Sequence, residues 1–376
     1  MKITLLCFDL SDNSFGRAAL LASGLVRHHE VELVGPMKGN ALWFPLKDLN
    51  LAVKPFPWRR LPRFVGTVRE MMRSIRTDLL FACKLRPTSF GVGVLKKRES
   101  GVPLLVDIDD WELGFYYHSG FWGKVGRFLN LSNPNGLPYT WLMERLVGQA
   151  DGITVSNRFL QDRYSGTLIP HCRDTRFLDP ARHDGREIRK RLGLEGKKVL
   201  MFLGTPRGHK GVDDLVAAVL RVQDPGVHLV IVGAEDPGLF LAGRPKATAE
   251  KLTVLPKVPF QELPRYLAAA DVMVIPQRRT SDTVGQMPAK LFDAMAMAKP
   301  IISSHVSDIP EVLGDGGYLF EPGSVDELAR AIDHVLHHPE EARQKGRRAR
   351  ERCVEYYDTR VMEARLLELV KSFARR

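Results

Sequence analysis

The stretch VLMFLGTPRGHKGVDDLVAAVLR, residues 199–221, runs from an apolar strand through a glycine-rich loop into an amphipathic helix. The glycines of the loop, 204–211, let the backbone turn tightly and approach a ligand closely. Arg207 and Lys210 add two cations at a helix N-terminus, where the helix dipole already favours an anion. The pattern therefore favours a diphosphate-binding loop. A glycine-rich turn with two solvated cations is the alternative that these residues leave open.

Strand-like and helix-like runs alternate on both sides of this loop, which predicts βαβ units and parallel sheets. The predicted strands before residue 180 are 3–8, 31–34, 79–82, 103–108, 153–155 and 167–169, with a helical pattern at 14–29. The predicted strands after it are 199–203, 228–232, 252–255, 272–275 and 300–303. The predicted helices of this half are 211–221, 262–270, 289–298 and 325–337, with a last one at about 358–375.

Two doubly wound parallel sheets therefore fit into the 376 residues, a length typical of two domains. A stretch rich in Pro, Asp, Arg and Gly at 179–195 marks the join. We expect domains at 1–180 and 181–355, and a C-terminal helix, 356–376, that packs on the first domain. Ligands of such folds bind at the carboxyl ends of the strands, here in a cleft between the sheets.

Composition restricts the compartment and the partners. The net charge of +11 favours an anionic partner, although a merely basic protein is also compatible with it. The four cysteines, Cys7, Cys83, Cys172 and Cys353, include no Cys-x-x-Cys pair, which argues against a zinc ribbon and a disulfide framework. No apolar run approaches the roughly 18 residues that cross a bilayer, and the apolar run at 3–8 is too short for a signal peptide. These features predict a cytoplasmic protein.

A second candidate loop, DTVGQMPAKLFDAMA at 282–296, enters another helix. Pro288 suits the first position of that helix, and the free N–H groups around 285–289 could bind a phosphate. Asp293 follows Lys290 by three residues, on the same helical face. Its carboxylate could accept hydrogen bonds from ribose hydroxyls. A surface ion pair between Lys290 and Asp293 is equally compatible with the spacing.

Short motifs also run along the chain in a fixed order. They are Phe202-Leu203-Gly204 with Lys210-Gly211, then 263–276, Met287-Pro288-Ala289-Lys290 through Ala296, Lys299-Pro300-Ile301-Ile302, Ile309-Pro310-Glu311-Val312 and Gly317-Tyr318-Leu319-Phe320, with 154–157 and 169–177 upstream. Their order and spacing resemble those of the GT-B glycosyltransferases of family 4, the group 1 glycosyl transferases. The resemblance extends over nearly the whole chain and is strongest between residues 202 and 322.

This resemblance implies the GT-B fold, an acceptor-binding first domain and a nucleotide-sugar-binding second domain. It further implies a retaining glycosyltransferase that needs neither a metal nor a cofactor, the nucleotide-sugar being a substrate. Arg207 and Lys210 would neutralise the leaving diphosphate, and Asp293 would hold the ribose. The donor-binding residues carried over from the family are Gly16, Gly204, Gly285, Gln286, Met287, Lys290 and Asp293.

Three positions depart from the family pattern. The first acid of its paired-acid motif falls on Gly285, where Asp282 could act instead. An arginine that often follows the first glycine of the phosphate loop is Thr205, for which Arg207 could substitute. The His-Asp pair common after the fourth strand aligns with Asp109-Asp110. We expect these two carboxylates to bind acceptor hydroxyls or to accept a proton.

The same acidic run supports a different hypothesis. Asp107 and Asp109 have the Asp-x-Asp spacing by which GT-A transferases hold a divalent metal. The second sheet, which a GT-A fold lacks, argues against it. Capping of a turn beside Trp111 is the structural alternative.

Residues 54–98 contain twelve Lys or Arg, two acids and interleaved apolar side chains. Such a segment could lie on an anionic membrane, which predicts peripheral contact at the inner membrane face and a glycan, lipid-linked or small-molecule acceptor. No nucleic-acid motif is present, so nucleic acid is not predicted as a partner. A solvated basic face is the alternative. A GT-B epimerase and a non-enzymatic nucleotide-sugar binder, favoured by the missing acid at Gly285, stay as rival functions.

Overall fold

The structure is a computed structural model that describes residues 1–47, 50–117, 126–242 and 244–373. The chain forms two compact units. The first comprises Met1–His171, Val284–Met287 and the residues from Arg360 onward, and the second comprises Cys172–Thr283 and Pro288–Thr359. The units thus divide after His171, nine residues before the expected domain boundary at residue 180, and a four-residue segment of the later chain belongs to the first unit.

The first unit contains a seven-stranded parallel sheet in the order β3-β2-β1-β4-β5-β6-β7. Its strands are β1 (Lys2–Leu6), β2 (Glu30–Met37), β3 (Ala52–Pro57), β4 (Leu79–Cys83), β5 (Leu104–Ile108), β6 (Gly152–Val155) and β7 (Thr167–Leu168). Its helices are α1 (Phe15–Leu25), α2 (Phe64–Ser74), α3 (Val92–Ser100), α4 (Gly114–Tyr117), α5 (Leu137–Arg145) and α6 (Arg158–Tyr164). β4 and β5 are buried along their whole length, as expected for strands covered on both faces.

The second unit contains a six-stranded parallel sheet in the order β10-β9-β8-β11-β12-β13. Its strands are β8 (Lys198–Leu203), β9 (Val227–Ala234), β10 (Leu252–Pro256), β11 (Val272–Ile275), β12 (Ile301–Ser304) and β13 (Tyr318–Phe320). Its helices are α7 (Arg186–Arg191), α8 (Val212–Arg221), α9 (Pro237–Leu241), α10 (Lys246–Glu250), α11 (Leu263–Ala269), α12 (Ala289–Ala296), α13 (Ile309–Leu313), α14 (Val325–His337) and α15 (Pro339–Tyr356). The predicted pair of doubly wound parallel sheets is confirmed.

The last helix, α16 (Thr359–Lys371), lies against α1 within the first unit. A Cβ added at Gly24 of α1 would lie 3.1 Å from Met362 Cε and 3.2 Å from Leu366 Cδ1. Glu363 forms ion pairs with Arg27 and His28 beside this contact. Gly24 therefore lets the two helices approach closely.

Several elements lie outside the predicted set, and three of them show a physical reason for it. β3 contains Pro55 and Pro57, which weaken a strand signal but are tolerated on this edge strand. β13 has only three residues. α15 buries Ala342, Gly346, Ala349 and Cys353, so its helical stripe consists of small residues that a search for large apolar side chains overlooks.

Candidate functional site

In the second unit, two loops leave the neighbouring strands β8 and β11, which are where the strand order reverses. Such a switch point at the carboxyl ends of parallel strands is the usual ligand position of doubly wound sheets. The loops touch at Gly211, whose φ is +64° and where a Cβ would lie 1.8 Å from the Pro276 carbonyl oxygen. Arg278 N–H also donates to the His209 carbonyl at 2.9 Å. Glycine is required at 211, and the two loops form one surface.

Two lysine ammonium groups lie close together at the beginning of the glycine loop 204–211, which the sequence predicts to bind a diphosphate. A Cβ added at Gly204, whose φ is +118°, would lie 3.6 Å from Lys290 Nζ and 3.9 Å from Lys210 Nζ. Lys290 Nζ is 3.8 Å from the centre of the Phe202 ring. Within the described ranges, no hydrogen bond or ion pair is formed by Lys290. Burial, and next the charge of Lys210, hold the pKa of Lys290 well below its usual value, with Asp293 opposing the shift.

Two further cations, one from each loop, are exposed at this surface. Arg207 is exposed at the beginning of the single helical turn Gly208–Lys210. Arg278, from the second loop, forms a bidentate ion pair with Asp214 of α8. Its Nε donates to Oδ2 at 2.7 Å and its Nη2 donates to Oδ1 at 2.5 Å. Arg207, Lys210 and Lys290 thus concentrate positive charge on a surface where backbone glycine leaves space, which suits a diphosphate.

Asp293 is buried in α12 and forms an ion pair with Arg173 rather than with Lys290. Arg173 engages both carboxylate oxygens, with Nη2 at 3.3 Å from Oδ2. The surface Lys290–Asp293 pair considered from the sequence is therefore wrong. A ribose hydroxyl would have to share this carboxylate with Arg173, a residue that lies within the motif 169–177 and was not among the predicted site residues.

Gly285, Gln286 and Met287 belong to the first unit. A Cβ at Gly285 would lie 2.7 Å from Trp111 Cβ and 3.1 Å from the Phe159 ring. The position that carries an acid in the family therefore has no space for a side chain here. Gln286 donates from Nε2 to Asp110 Oδ1 at 3.1 Å, and Met287 is buried.

Asp282, which could replace that acid, already has partners for both of its carboxylate oxygens. Its Oδ2 is 3.3 Å from His209 Nδ1, and its Oδ1 accepts a hydrogen bond from Thr280. His209 lies between Arg207 and Lys210 in the glycine loop and was not among the predicted site residues, although it stands within the stretch 199–221.

In the first unit, charged side chains follow β4 and β5 and form a cluster of two cations and three acids. Lys84 Nζ lies 2.8 Å from Asp109, 2.5 Å from Asp110 and 3.2 Å from Glu112. Arg86 Nε donates to Glu112 at 2.6 Å. Lys84 adopts φ +76°, a left-handed conformation that is costly for a residue with a side chain and is often found at functional sites. We call these five residues the acid–lysine cluster.

Burial sets the protonation of this cluster. Burial alone would lower the pKa of Lys84, but Asp109, Asp110 and Glu112 hold it well above its usual value. Burial raises the pKa of Asp109 to about 7, although Lys84 acts to lower it. A carboxyl that titrates near neutrality can exchange a proton with a hydroxyl group. Lys84, Arg86 and Glu112 were not among the predicted site residues. Lys84 and Arg86 nevertheless follow the buried strand β4, at the carboxyl end where ligands of such folds bind.

The Asp-x-Asp pair is not arranged as a metal site. Among the described residues, the one group of acids close enough to share an ion is Asp109, Asp110 and Glu112, and the Lys84 ammonium lies among them. Asp107 is fully buried and pairs with Arg17 at 3.0 and 2.9 Å and with Thr154 Oγ1 at 2.7 Å. The residues present therefore do not fit a divalent cation held by Asp107 and Asp109.

Gly16 lies in the first turn of α1, where an added Cβ would be 3.2 Å from Trp43 Cζ3. Glycine here admits the indole ring. The preceding Ser14 is buried, and within the described part of the chain its hydroxyl finds no hydrogen-bond partner.

Two sequence models match most of the chain. Residues 17–173 match the "Glycosyl transferase 4-like domain", and residues 197–338 match "Glycosyl transferases group 1". The chain belongs to the group 1 glycosyltransferases with the GT-B fold. The resemblance recognised from the motifs is thereby confirmed.

Known relatives agree with this membership. The chain is 27% identical to the GDP-mannose-dependent alpha-(1-6)-phosphatidylinositol monomannoside mannosyltransferase of Mycolicibacterium smegmatis, over 61% of this chain and 64% of that protein. In two further curated relatives, the matched region spans 50% and 66% of their own length.

Solved structures share the fold. Sucrose-phosphate synthase from Thermosynechococcus elongatus has a TM-score of 0.76 at 18% identity, with all of both chains covered. HepE of Anabaena in complex with UDP has a TM-score of 0.76 at 16% identity, covering 99% of this chain and 100% of that one.

Proposed function

We propose that the protein transfers a glycosyl unit from a nucleoside-diphospho-sugar to an acceptor hydroxyl, with retention of configuration and without a metal. The observation that carries this proposal is the convergence of the Lys210 and Lys290 ammonium groups at Gly204. Lys290 has no hydrogen-bonded acid within the described ranges, so an anion from outside the protein is its natural counterion. The leaving diphosphate supplies such an anion, and charge that develops on it during transfer is stabilised by the fixed cations.

The acceptor side of the reaction is assigned to the acid–lysine cluster. Asp109, whose pKa lies at about 7, can accept the proton of an acceptor hydroxyl. Lys84 holds Asp109 and Asp110 in place from a constrained backbone conformation. The direct support for a metal-free reaction is that Lys84 lies where a cation shared by the three acids would be.

A transfer assay tests the proposal. The purified chain is incubated with UDP-glucose or GDP-mannose, the donors that the named relative and the solved structures of this fold suggest, and with a panel of glycan and lipid-linked acceptors. Mass spectrometry is expected to detect a glycosylated acceptor and free nucleoside diphosphate, and NMR of the product an unchanged anomeric configuration. Conversion of the sugar nucleotide to its epimer without an acceptor would favour an epimerase. Binding without any conversion would favour a non-enzymatic binder.

A lipid-linked acceptor is supported by one surface of the first unit, although the whole segment 54–98 is not a basic face. Lys84, Arg86 and Lys96 are buried, whereas Arg59, Arg60 and Arg63 are exposed. Leu61 N–H donates to the Ser132 carbonyl at 2.8 Å, which joins the segment with these arginines, 59–63, to the segment 126–132. Residues 126–129 of that second segment are helical, and the segment exposes the apolar residues Phe128, Leu129 and Leu131.

Cations beside exposed apolar side chains suit an anionic membrane surface. None of the described helices is both long and apolar enough to cross a bilayer. We propose that the two joined segments, 59–63 and 126–132, lie on the membrane that carries the acceptor.

Sedimentation with vesicles tests this part of the proposal. Binding to vesicles rich in anionic lipid is expected to decrease as salt rises, because exposed charges are screened over about 10 Å at 0.1 M. The triple variant Arg59→Glu, Arg60→Glu and Arg63→Glu should lose binding, since each cation contributes about 1 kcal/mol. The matched control reverses three exposed arginines of α15, Arg343, Arg347 and Arg348, and should retain it. Equal sedimentation of both triple variants would contradict the assignment.

A further inference from the structure

The phosphate loop contains a histidine held by a carboxylate. His209 Nδ1 lies 3.3 Å from Asp282 Oδ2, and the two side chains are only 14% and 7% exposed. Asp282 is held in turn by Thr280, and the backbone of the loop is held by Arg278. A carboxylate accepts from a protonated Nδ1, so this contact leaves Nε2 as the ring nitrogen available to a ligand.

The surroundings of the ring are predominantly positive. Arg207 and Lys210 come from the same loop, Lys290 comes from α12, and Asp282 is the acid that opposes them. Arg278 and Asp214, packed against the loop, are paired with each other. Burial is the main cause of the lowered pKa of His209, Asp282 acts against it, and the three cations reinforce it. The ring is therefore neutral at pH 7 while the loop is empty.

A diphosphate bound at Gly204 would reverse this balance. Its negative charges would neutralise Lys210 and Lys290 and would add an attraction for a proton on the imidazole. A protonated ring could then donate from Nε2 to a phosphate oxygen while Nδ1 still donated to Asp282.

Resting on the proposed function, we infer that His209, positioned by Asp282, is a further diphosphate ligand of the donor site and takes up a proton from solvent when the nucleotide-sugar binds. The inference assigns a binding role to His209 and a positioning role to Asp282. Because the proton is bound only in the complex, affinity for the donor must fall as pH rises through the pKa of the bound form, by up to about tenfold per pH unit.

Calorimetry tests this linkage directly. UDP-glucose and GDP-mannose are titrated into the full chain at one pH in buffers of different ionisation enthalpy. Both are diphosphate diesters that do not titrate near neutrality, so any proton taken up enters the protein. The expected result is net proton uptake, of which His209 contributes up to one proton per site; Lys290, whose pKa is also lowered, can add to it. The variant His209→Gln, which retains a hydrogen-bonding side chain, should lose the contribution of His209, and Asp282→Asn should reduce it.

His228→Gln is the matched control. His228 is a second partly buried histidine of the same unit with a pKa lowered chiefly by burial, and its Nε2 contacts Thr253 Oγ1 at 2.8 Å. This variant should bind with the same proton uptake as the unaltered chain. If His209→Gln fails to fold, the dependence of donor affinity on pH in the unaltered chain and in Asp282→Asn decides the question.

The outcomes separate the two proposals. Binding without proton uptake, or the same uptake in His209→Gln as in the unaltered chain, overturns the role of His209 and leaves the proposed function in place. Absence of binding to either sugar nucleotide contradicts both.

Discussion

The carboxyl ends of the two sheets carry similar numbers of charged side chains but balance them differently. In the first unit, Lys84 and Arg86 are each paired with acids of the acid–lysine cluster. In the second unit, Lys290 approaches the ammonium of Lys210 at Gly204. Among the described residues, no acid is hydrogen-bonded to Lys290. Removing a buried cation that is paired with an acid of the protein destabilises the fold, because the acid is left unpaired. A buried cation that has no such partner favours the binding of an anion from outside the protein. Removing a lysine should therefore have opposite consequences in the two places.

The largest effect is expected from Lys84→Met. Loss of the ammonium leaves Asp109, Asp110 and Glu112 close together without it, and breaking a buried ion pair in this way costs about 3–5 kcal/mol. All five tryptophans lie between Trp43 and Trp141, so urea unfolding followed by tryptophan fluorescence reports on the first unit alone.

Lys97→Met provides the control. Lys97 pairs with Asp151 at 2.7 Å, but its side chain is 30% exposed, and such pairs contribute about 0–1 kcal/mol. Equal losses of stability in the two lysine variants would show that Lys84 does not stabilise the fold as a buried ion-pair partner.

Lys210→Ala should lower the rate of transfer next most strongly. Removing one fixed charge that stabilises the leaving group costs on the order of 100-fold in turnover. Steady-state kinetics with the donor identified by the transfer assay measures it, and Lys197→Ala, an exposed lysine of the same unit, is the control. A near-normal rate in a folded Lys210→Ala protein would remove Lys210 from the site.

The same contrast explains what could be predicted from sequence. Strands such as β8 and β11 follow from apolar runs, and the glycine loop between β8 and α8 follows from local spacing and therefore marks Lys210. The partners of a charge are set by tertiary packing. Lys84 lies 25 residues from Asp109, and Arg173 lies 120 residues from Asp293, so neither pairing has a local signal.

Gly285 is a position that the motif located but whose packing the sequence did not predict. The motif identified the position where the family carries an acid, but the reason for glycine there is the contact with Trp111 and Phe159, which lie far away in sequence. His209 was visible in the loop, yet its partner Asp282 comes from another loop that only the order of the strands brings near.

Gly285→Ala tests that packing. The added methyl group would lie 2.7 Å from Trp111 Cβ, and overpacking of this kind costs about 1–3 kcal/mol. Tryptophan fluorescence during urea unfolding should show the loss in the first unit. Gly126→Ala, in a helical segment where an added Cβ meets nothing within 4 Å, should not lower the midpoint. A stable Gly285→Glu variant with raised activity would instead show that the acid was merely lost.

Lys290→Met should weaken donor binding without weakening the fold. A hydrogen bond to a charged group contributes about 1.5–3 kcal/mol, so affinity should fall by at least about tenfold. The methionine fills a similar volume without the charge. Because the pKa of Lys290 is lowered in the folded state, its charge destabilises the fold at neutral pH, and stability recovers as pH rises towards the usual value near 10.5.

Circular dichroism during thermal unfolding between pH 7 and 10 measures this dependence. The Met variant should unfold no earlier than the unaltered chain at pH 7 and should show a smaller increase in stability with pH. Earlier unfolding at pH 7 would mean that the ammonium already has an internal partner that stabilises it.

The smallest effect is expected from chelation. EDTA should leave the rate of transfer unchanged, because the cations that face the leaving diphosphate are lysine and arginine side chains and because Lys84 lies among the acids that could hold an ion. The comparison can be sharpened with Lys84→Met, which frees Asp109, Asp110 and Glu112 at oxygen-ligand spacing. Mn²⁺ should then raise the unfolding temperature of the variant and not that of the unaltered chain. If EDTA abolishes transfer by the unaltered chain and Mn²⁺ restores it, these carboxylates are metal ligands. The ion pairs of Lys84 with Asp109, Asp110 and Glu112 would then belong to the metal-free protein and not to the active enzyme.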